Sequence, residues 1–515
     1  MPFTRFSVVK VVGVSLVLSL YACSSQEAPA TYSPNTVVSS VSTSTLVPDP
    51  SGDSPSASAT TVPSNSSQIV WTSCDDELLC STLKVPYSYQ EDVSKYFTLN
   101  LQMRKANTSS SLGYLLVNPG GPGFGGTVML GSASYYFSQD ILDNFDLVAW
   151  DPRGTGESTP FVDCVDNFDK YFAVDLSPDT PAARKNLISM AKEFNAGCVE
   201  RSGDILKYVS TVNSAGDMDA IRKALNVDKI SYFGFSYGSE LGAVWATLYP
   251  QTVRAAVLDG ASDPLADSLS KSMAQAVGFE GQLNEFLEYC SNRPTCPFNN
   301  GMRSAQALDE LFIKADSAPV SNARVPITNG VLFMGVVTAL YSSSQWDYLA
   351  EALYDLQLGD GAGILSLYDS YFQYNAFTGT YGNELEAFFA IASLDDRGPD
   401  SIALVDANTA KFAELAPRLG LGFSYGYFCA LWPEESQPRL QVSGVGAGTI
   451  VVVGTTGDAA TPLESSTKMA AALENGILVV VEADQHTGYN VNKCINKAVD
   501  TYLIKLIAPA PSTRC

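Results

Sequence analysis

Apolar residues follow two patterns along the chain from about residue 69 onward. In segments 81–87 and 96–103 they alternate with polar residues, which is typical of half-buried strands. Six shorter segments are almost entirely apolar and suit strands buried on both faces: 114–117, 147–150, 230–233, 255–258, 449–453 and 477–481. Helical periods lie between them, for example at 215–225 and 240–248. Strands that alternate with helices predict an α/β protein with a mainly parallel sheet covered on both sides.

The segment 264–418 interrupts this alternation with a different pattern. Four parts of it fit helix better than strand, and a fifth is ambiguous by periodicity alone: 273–286, 305–315, 346–356 and 385–392, and then 332–340. We therefore expect a core in two parts, 67–263 and 419–515, with a mostly helical cap at 264–418 inserted between the late core strands. Such a cap would lie over the carboxyl edge of the sheet, where open α/β sheets bind ligands.

The N-terminal 66 residues predict export rather than a fold. Arg5 and Lys10 precede an apolar segment, 11–20, that is too short to span a bilayer comfortably, which predicts a signal peptide at 1–22. The following Leu20-Tyr21-Ala22-Cys23 is similar to a bacterial lipobox, so we expect Cys23 to carry a lipid. The alternative is an ordinary secretory signal that is cleaved nearby. Residues 24–66 are mostly Ser, Thr, Pro, Ala and Val, a composition that predicts a disordered tether to the extracytoplasmic face of the membrane.

The net charge and the histidine content exclude several classes of partner and of active site. The chain has 31 basic and 54 acidic residues, a net charge of −23 that repels phosphate backbones, so we expect no nucleic-acid partner. It contains one histidine, His486, which excludes metal motifs that need two. We expect no cofactor and no metal, and any base chemistry that needs imidazole must use His486.

Gly234-Phe235-Ser236-Tyr237-Gly238 has the pattern Gly-x-Ser-x-Gly. It directly follows one predicted strand and directly precedes a predicted helix. This pattern is common by chance, but the strand, turn and helix around it form the nucleophile elbow that exposes a serine hydroxyl on a strained turn. Ser236 is therefore the candidate nucleophile.

The glycine-rich segment 118–126 follows the strand at 114–117. It formally contains Gly-x-Gly-x-x-Gly, but Pro119 and Pro122 each remove an N–H from a loop that would have to present N–H groups to phosphate, so we reject dinucleotide binding. An oxyanion loop fits better, in which one N–H of this loop acts together with the N–H of Tyr237. The alternative is a plain Gly-Pro turn.

The chain order nucleophile, acid, histidine is that of α/β-hydrolases, which assigns His486 as general base. Asp458 follows the strand at 449–453 and precedes His486, so it is the favoured third member. Asp259, at the end of the strand 255–258, is the rival, because some proteins of this fold place the acid there.

The chain resembles the secreted actinobacterial tripeptidyl aminopeptidases and their proline-iminopeptidase-like relatives, serine exopeptidases of the α/β-hydrolase fold. The matching segments are Asn118–Gly123, Asp151–Gly156, Gly234–Gly238 with Leu248-Tyr249-Pro250, Gly457-Asp458 with Thr461-Pro462, and the ending Cys494 to Cys515. They cover nearly all of residues 70–515. The resemblance implies that Ser236 is the nucleophile, Asp458 the orienting acid and His486 the base, while Gly121 and Tyr237 supply the oxyanion N–H groups. It also implies a cis peptide at Pro122, and Asp151 and Arg153 as a structural pair that braces the loops.

The resemblance, together with proximity in the sequence, implies four disulfides: Cys74 with Cys80, Cys164 with Cys198, Cys290 with Cys296, and Cys494 with Cys515. Sequence alone cannot prove this pairing. Members of the family usually carry a cysteine where this chain has Ser393. With Cys23 set aside for lipid, Cys429 is left over, and we expect it to be a free, buried thiol.

These expectations describe a lipid-anchored or secreted serine exopeptidase that releases short peptides or residues from free N-termini through an acyl-enzyme. A cap carboxylate that receives the substrate ammonium is chemically sensible, but the sequence does not choose among Glu384, Glu386, Asp395 and Asp396. The alternatives are an esterase or lipid acyl-hydrolase of the same fold, and a binding lipoprotein that lost turnover.

Overall fold

One twisted sheet organises the computed structural model, which describes residues 69–515 except 76, 323, 397 and 425. Within these residues the sheet has ten strands in the order β1-β2-β3-β5-β4-β6-β7-β8-β9-β10. The strands are β1 Thr72–Ser73, β2 Leu78–Pro86, β3 Tyr96–Arg104, β4 Tyr114–Asn118, β5 Asp146–Trp150, β6 Ile230–Phe235, β7 Val253–Asp259, β8 Ile450–Thr455, β9 Gly476–Val481 and β10 Thr513–Arg514. The eight longer strands were predicted, whereas the two-residue strands β1 and β10 are too short to leave a periodic signal. The predicted signal peptide, Cys23 and the tether lie outside the described residues.

Strands β4 to β10 are parallel to one another, and β1 to β3 form an antiparallel extension in which β3 pairs antiparallel with β5. The chain leaves β4 toward β5 on one side and returns to β6 on the other side, so the strand order reverses between β4 and β6. Open α/β sheets bind ligands beyond the carboxyl ends of the strands at such a switch point. The predicted oxyanion loop follows β4, and the predicted nucleophile follows β6.

Helices cover both faces of this sheet. Those outside the segment between β7 and β8 are α1 Ala133–Tyr136, α2 Gln139–Asn144, α3 Asp169–Phe172, α4 Pro181–Leu206, α5 Thr211–Ala224, α6 Tyr237–Leu248, α16 Leu463–Ala472 and α17 Lys493–Lys505. Side chains alternate along the central strands. Leu115, Phe233 and Val257 pack toward α2 and α17, while Leu116, Tyr232 and Ala256 pack toward α5 and α6. The predicted fold class, a mainly parallel sheet covered on both sides, is confirmed.

Nine helices fill the described part of the segment between β7 and β8: α7 Ser268–Ser291, α8 Ser304–Ser317, α9 Asn329–Ala339, α10 Trp346–Gln357, α11 Ala362–Tyr371, α12 Glu384–Asp395, α13 Ile402–Leu415, α14 Gly420–Phe423 and α15 Tyr427–Ala430. The ambiguous segment is helix α9, which is buried all round, so that no polar face marks its period. The described residues also form three 3₁₀ helices: Thr127–Ser132, Pro250–Thr252 and Ser343–Gln345.

The inserted helices contact the loops that leave the carboxyl ends of the strands. The Ser343 N–H donates to Asp484 O at 2.8 Å beyond β9, and a Cβ on Gly123 beyond β4 would lie 2.1 Å from Glu384 O of α12. The helical block therefore lies over the edge that the sequence predicted. The domain boundaries at 264 and 418 stay predictions. In the part of the chain that the structure describes, we find no helix long and apolar enough to cross a membrane.

Four disulfides join the expected cysteines: Cys74 to Cys80, Cys164 to Cys198, Cys290 to Cys296, and Cys494 to Cys515. Cys429 is buried in α15 and is disulfide-bonded, so the prediction of a free thiol is wrong. That prediction rested on Ser393, which stands where the family usually carries the partner cysteine, and on counting the cysteines after setting Cys23 aside. Counting along the sequence does not determine which sulfurs approach one another in the fold.

Candidate active site

The Gly-x-Ser-x-Gly segment forms a sharp turn between β6 and α6. Ser236 is buried and has φ +52° and ψ −123°, a left-handed conformation that non-glycine residues rarely adopt. The flanking glycines are needed because the chain comes close to itself: a Cβ on Gly234 would lie 2.2 Å from Gly238 O. A Cβ on Gly238 would lie 2.9 Å from Asn118 Oδ1 at the end of β4. These contacts produce the strained strand-turn-helix arrangement of a nucleophile elbow.

His486 and Asp458 are hydrogen-bonded at the neighbouring strand ends. His486 Nδ1 lies 2.9 Å from each carboxylate oxygen of Asp458. Because a carboxylate accepts, Nδ1 carries the proton in this arrangement, which leaves Nε2 with a lone pair. Nε2 is buried and has no hydrogen-bond partner among the described residues. The ring is therefore in the tautomer that a general base needs.

Further hydrogen bonds hold the Asp458 carboxylate in place. Its Oδ1 accepts from Ala460 N at 2.9 Å and from Thr461 N at 2.8 Å, and its Oδ2 accepts from Thr461 Oγ1 at 2.9 Å. Thr461 Oγ1 also lies 3.4 Å from His486 Nδ1. Hydrogen bonds within the loop after β8 therefore fix the orientation of the Asp458 carboxylate independently of its contact with the imidazole.

A short series of contacts connects Ser236 with His486. The Ser236 N–H donates to Asp259 O at 2.7 Å at the end of β7. The next residue, Gly260, has φ +64°, and a Cβ there would lie 3.2 Å from His486 Cε1. On the cap side, the His486 N–H donates to Tyr341 O at 2.7 Å, and the two rings meet edge to face at 5.6 Å. The histidine is thus held between the core and the cap.

Asp259, the rival acid, has a different environment. Its carboxylate is fully buried and accepts from Gly488 N and Tyr489 N, each at 2.8 Å. Burial raises the pKa of Asp259 to about 7, although the two N–H donors oppose this shift. Asp259 therefore holds the backbone just after His486, while Asp458 contacts the imidazole itself.

Asp259→Asn is expected to lower kcat by roughly 10- to 100-fold, because asparagine offers one oxygen where two N–H groups need an acceptor and the histidine loop shifts. The unmatched donor should also lower the free energy of unfolding by about 1–3 kcal/mol. Steady-state kinetics and urea unfolding of the variant measure both effects. A loss near 10⁴-fold, as expected for the orienting acid, would assign that role to Asp259 instead of Asp458.

The loop after β4 lies beside the elbow. The Gly120 N–H donates to Asn118 Oδ1 at 2.9 Å, and Gly121 has φ +118°, which favours glycine. The peptide bond between Gly121 and Pro122 is cis, as predicted. We find no acceptor for the Gly121 N–H among the described residues. Gly121 is therefore able to donate to a substrate oxygen.

A cleft of about 540 Å³ opens beside His486. Aromatic, aliphatic and uncharged polar residues line it: Pro119, Ser134, Tyr135, Tyr136, Phe235, Tyr341, Ser342, Ser344, Gln485, Thr487, Tyr489, Asn490 and Val491. None of these side chains is a carboxylate or an ammonium. The lining therefore suits an uncharged stretch of a substrate.

The four candidate carboxylates of the cap have different partners. Glu386 accepts from Cys164 N at 2.9 Å and from Val165 N at 2.7 Å. Asp395 accepts from the N–H and hydroxyl of Thr211, and Asp396 accepts from Ser268 N at 2.9 Å. Glu384 alone of the four has a buried oxygen, Oε2, without a hydrogen-bond partner in the described part of the chain.

Glu384 lines a cavity of about 20 Å³ next to the oxyanion loop. The other lining residues are apolar or aromatic: Pro122, Phe124, Tyr371, Phe372, Leu385 and Phe388. Burial raises the pKa of the Glu384 carboxyl to about 7. A water-sized group fits such a cavity, and a carboxylate there lacks the partner that would offset its desolvation.

Two features of the site were not predicted from the sequence. Tyr341 comes from the cap, 145 positions before His486, and no local pattern marks it. Asp217 is the partner of buried Arg153, whose Nε donates to Asp217 Oδ2 at 2.8 Å. Asp151 instead accepts from Thr127 N at 3.0 Å, so Asp151 and Arg153 brace the loops through separate partners and do not pair with each other. Residues of opposite charge close in sequence need not meet when each faces a different element.

No group of three or more histidine, cysteine, aspartate or glutamate side chains in the described residues is arranged to hold a metal ion.

Residues 416–515 match the family model described as TAP-like protein. Serine protease Hip1 of Mycobacterium tuberculosis is 33% identical over 461 residues, which cover 85% of this chain and 87% of that protein. Carboxylesterase B of Mycobacterium tuberculosis is 34% identical over 456 residues, 85% of this chain and 86% of that protein. Tripeptidyl aminopeptidase of Streptomyces lividans is 30% identical over 456 residues, 85% of this chain and 83% of that protein.

Proposed function

The chain belongs to the tripeptidyl-aminopeptidase-like serine hydrolases of the α/β-hydrolase fold, and on that premise we propose that it is an exopeptidase that releases short peptides or single residues from free N-termini. The proposal assigns Ser236 as nucleophile, His486 as general base and Asp458 as the acid that orients the imidazole. Gly121 and Tyr237 supply the oxyanion N–H groups.

In this mechanism Ser236 Oγ attacks the carbonyl carbon of the scissile peptide while His486 Nε2 accepts the hydroxyl proton. The negative charge on the carbonyl oxygen of the tetrahedral intermediate is stabilised by two backbone N–H groups. His486 then returns the proton to the leaving amine, and water hydrolyses the acyl-enzyme by the same steps. Asp458 keeps Nδ1 protonated throughout.

The observation that supports an exopeptidase is the Glu384 carboxylate in its small cavity beside the oxyanion loop. A substrate ammonium would give Oε2 its missing partner, and the ammonium group has the size of the water molecule that the cavity admits. Aromatic rings of Phe124, Tyr371 and Phe388 in the lining would attract a cation further. The site thus provides charge, size and surroundings for a free N-terminus.

The test is a set of peptide p-nitroanilides of one to four residues, each with a free or an N-acetylated amino terminus. We expect kcat/KM to be at least about tenfold higher for the free amine, because an acetylated nitrogen leaves the buried carboxylate unpaired. The length with the highest kcat/KM identifies the peptide released. Equal rates on free and acetylated peptides would contradict the exopeptidase proposal.

The second candidate is an esterase, since a relative that is 34% identical is named carboxylesterase B. A triad and an oxyanion hole act on esters as well as on amides. Short-chain p-nitrophenyl esters added to the same substrate set separate the two. Ester hydrolysis without cleavage of any free-amine peptide would favour the esterase.

For the location, we propose export and attachment of Cys23 to lipid, with residues 24–66 as tether, which requires that Cys23 is not the disulfide partner of Cys429. The support is the signal-like segment at 1–20 and the lipobox-like Leu20 to Cys23. Replacing Cys23 with serine should release the protein from the membrane fraction into the medium. Export of wild-type protein without lipid would favour simple secretion.

A further inference from the structure

Three helix ends meet beside the nucleophile elbow, and polar side chains connect them. Tyr237 is the first residue of α6, Thr211 the first of α5 and Asp395 the last of α12. The Tyr237 hydroxyl and Thr211 Oγ1 are hydrogen-bonded to each other. Thr211 Oγ1 donates to Asp395 Oδ2 at 2.5 Å, and Thr211 N donates to Asp395 Oδ1 at 2.9 Å.

The two hydroxyls in this chain of hydrogen bonds are buried, and Asp395 at its end is partly buried. Tyr237 is 5% exposed and Thr211 is 3% exposed, so water does not compete for their hydroxyls. Burial raises the pKa of Asp395 to about 7. The chain of bonds holds with either form of the carboxyl, because both hydroxyls can exchange donor and acceptor roles.

We propose that Thr211 and Asp395 are positioning residues that hold Tyr237 so that its backbone N–H points at the oxyanion of the tetrahedral intermediate. This inference rests on the proposed function, because it concerns the oxyanion hole of the same site. Neither side chain touches the substrate. Both act through the phenol ring of Tyr237.

The backbone around Tyr237 needs such support. The first N–H groups of a helix have no acceptor within the helix, so their direction depends on the preceding peptide plane. That plane follows Ser236, whose φ of +52° persists only when the surroundings maintain it. A ring that is fixed at its far end by Thr211 restricts rotation of the Ser236–Tyr237 peptide. An N–H that is held in place costs no reorganisation when the oxyanion forms.

Helix α12 adds a second consequence. It carries Glu384 at its N-terminal end and Asp395 at its C-terminal end, about 17 Å apart along a straight helix. One rigid element therefore contacts both the proposed ammonium site and the residue beside the nucleophile. Loss of the Asp395 contact frees the end of the helix that meets the elbow.

The test compares Thr211→Val, which removes the bridging hydroxyl and keeps the branched shape, with Thr211→Ser, which keeps the hydroxyl. For Thr211→Val we expect kcat to be about tenfold lower than in the wild type and KM to stay within about twofold of the wild-type value. The loss in kcat is smaller than the loss that follows complete removal of an oxyanion donor, because the N–H of Tyr237 is still present. Affinity for a peptide boronate, whose adduct on Ser236 places an oxygen in the oxyanion hole, should weaken by about the same factor as kcat. Thr211→Ser should restore both values to within about threefold.

Tyr237→Phe interrupts the same chain of hydrogen bonds and should reproduce Thr211→Val. The double variant should be no worse than either single variant, because both remove one connection. Unchanged kcat and boronate affinity in Thr211→Val would overturn the inference. A lower melting temperature with unchanged kcat would also overturn it, since a purely structural role predicts that result.

Labelling with a fluorophosphonate separates this inference from the proposed function. If wild-type protein is not labelled at Ser236, the proposed mechanism fails. If Ser236 is labelled and Thr211→Val behaves like the wild type, only the positioning role fails.

Discussion

Ser236→Ala and His486→Ala are each expected to lower kcat by roughly 10⁴- to 10⁶-fold, with little change in folding. Each residue does one half of the same proton transfer, so the double variant should be about as inactive as either single variant. Asp458→Asn should lower kcat by about 10⁴-fold, because asparagine would stabilise the wrong imidazole tautomer. Burst and steady-state kinetics on a free-amine peptide p-nitroanilide measure these losses.

The result for His486→Ala can be assigned to a single imidazole, because the chain contains one histidine. No second imidazole can replace it. Ser317→Ala, on the exposed end of α8, is the control and should keep wild-type kinetics. If His486→Ala retained more than about a tenth of wild-type kcat, the imidazole would not be the general base, since such losses are typically several decades.

Glu384→Gln is expected to lower kcat/KM for free-amine peptides by roughly 10²- to 10³-fold, because it removes a desolvated charge partner of the ammonium. The same variant should change kcat/KM for N-acetylated peptides by less than about threefold, since these make no ion pair. The measurement is the ratio of the two values in variant and wild type. That ratio separates a lost ammonium site from a general loss of activity.

Glu386→Gln is the matched control, two positions along the same helix. Burial raises the pKa of Glu386 to about 8, so its carboxyl is largely neutral at pH 7 and resembles glutamine. The glutamine oxygen can still accept from Cys164 N and Val165 N. We expect no change in the preference for free amines. Loss of that preference in Glu386→Gln but not in Glu384→Gln would place the ammonium site at Glu386.

Glu384→Gln should lower the activity on free-amine peptides but raise the stability of the folded protein. Burial raises the pKa of Glu384 to about 7 from 4.5, so between these pH values the folded protein holds a proton that the unfolded chain has lost. Glu384 therefore makes the protein less stable as pH rises through this interval. At pH 8 we expect Glu384→Gln to raise the free energy of unfolding by about 1–3 kcal/mol, and at pH 4 we expect no difference. Urea unfolding at both pH values measures this.

Much of the fold and several candidate residues could be predicted because their signals are local. A buried parallel strand is apolar over its whole length, and six strands were predicted in this way, while two more were predicted from the alternation of apolar and polar residues. The elbow at Ser236 has a five-residue pattern between a strand and a helix. Chain order and the presence of one imidazole made His486 the only candidate base.

Other features depend on which segments meet in space, and there the tertiary structure decided. Asp259 and Asp458 both follow buried strands, and only the loops beyond β8 and β9 place Asp458 rather than Asp259 against His486 Nδ1. The helix at Asn329–Ala339 lacks an amphipathic period because other elements surround it. The sequence does not distinguish the four acidic residues of the cap. In the fold, Glu384 differs from the other three because its buried Oε2 has no hydrogen-bond partner among the described residues. Burial and hydrogen bonding between distant segments produce these differences, and a linear pattern does not record them.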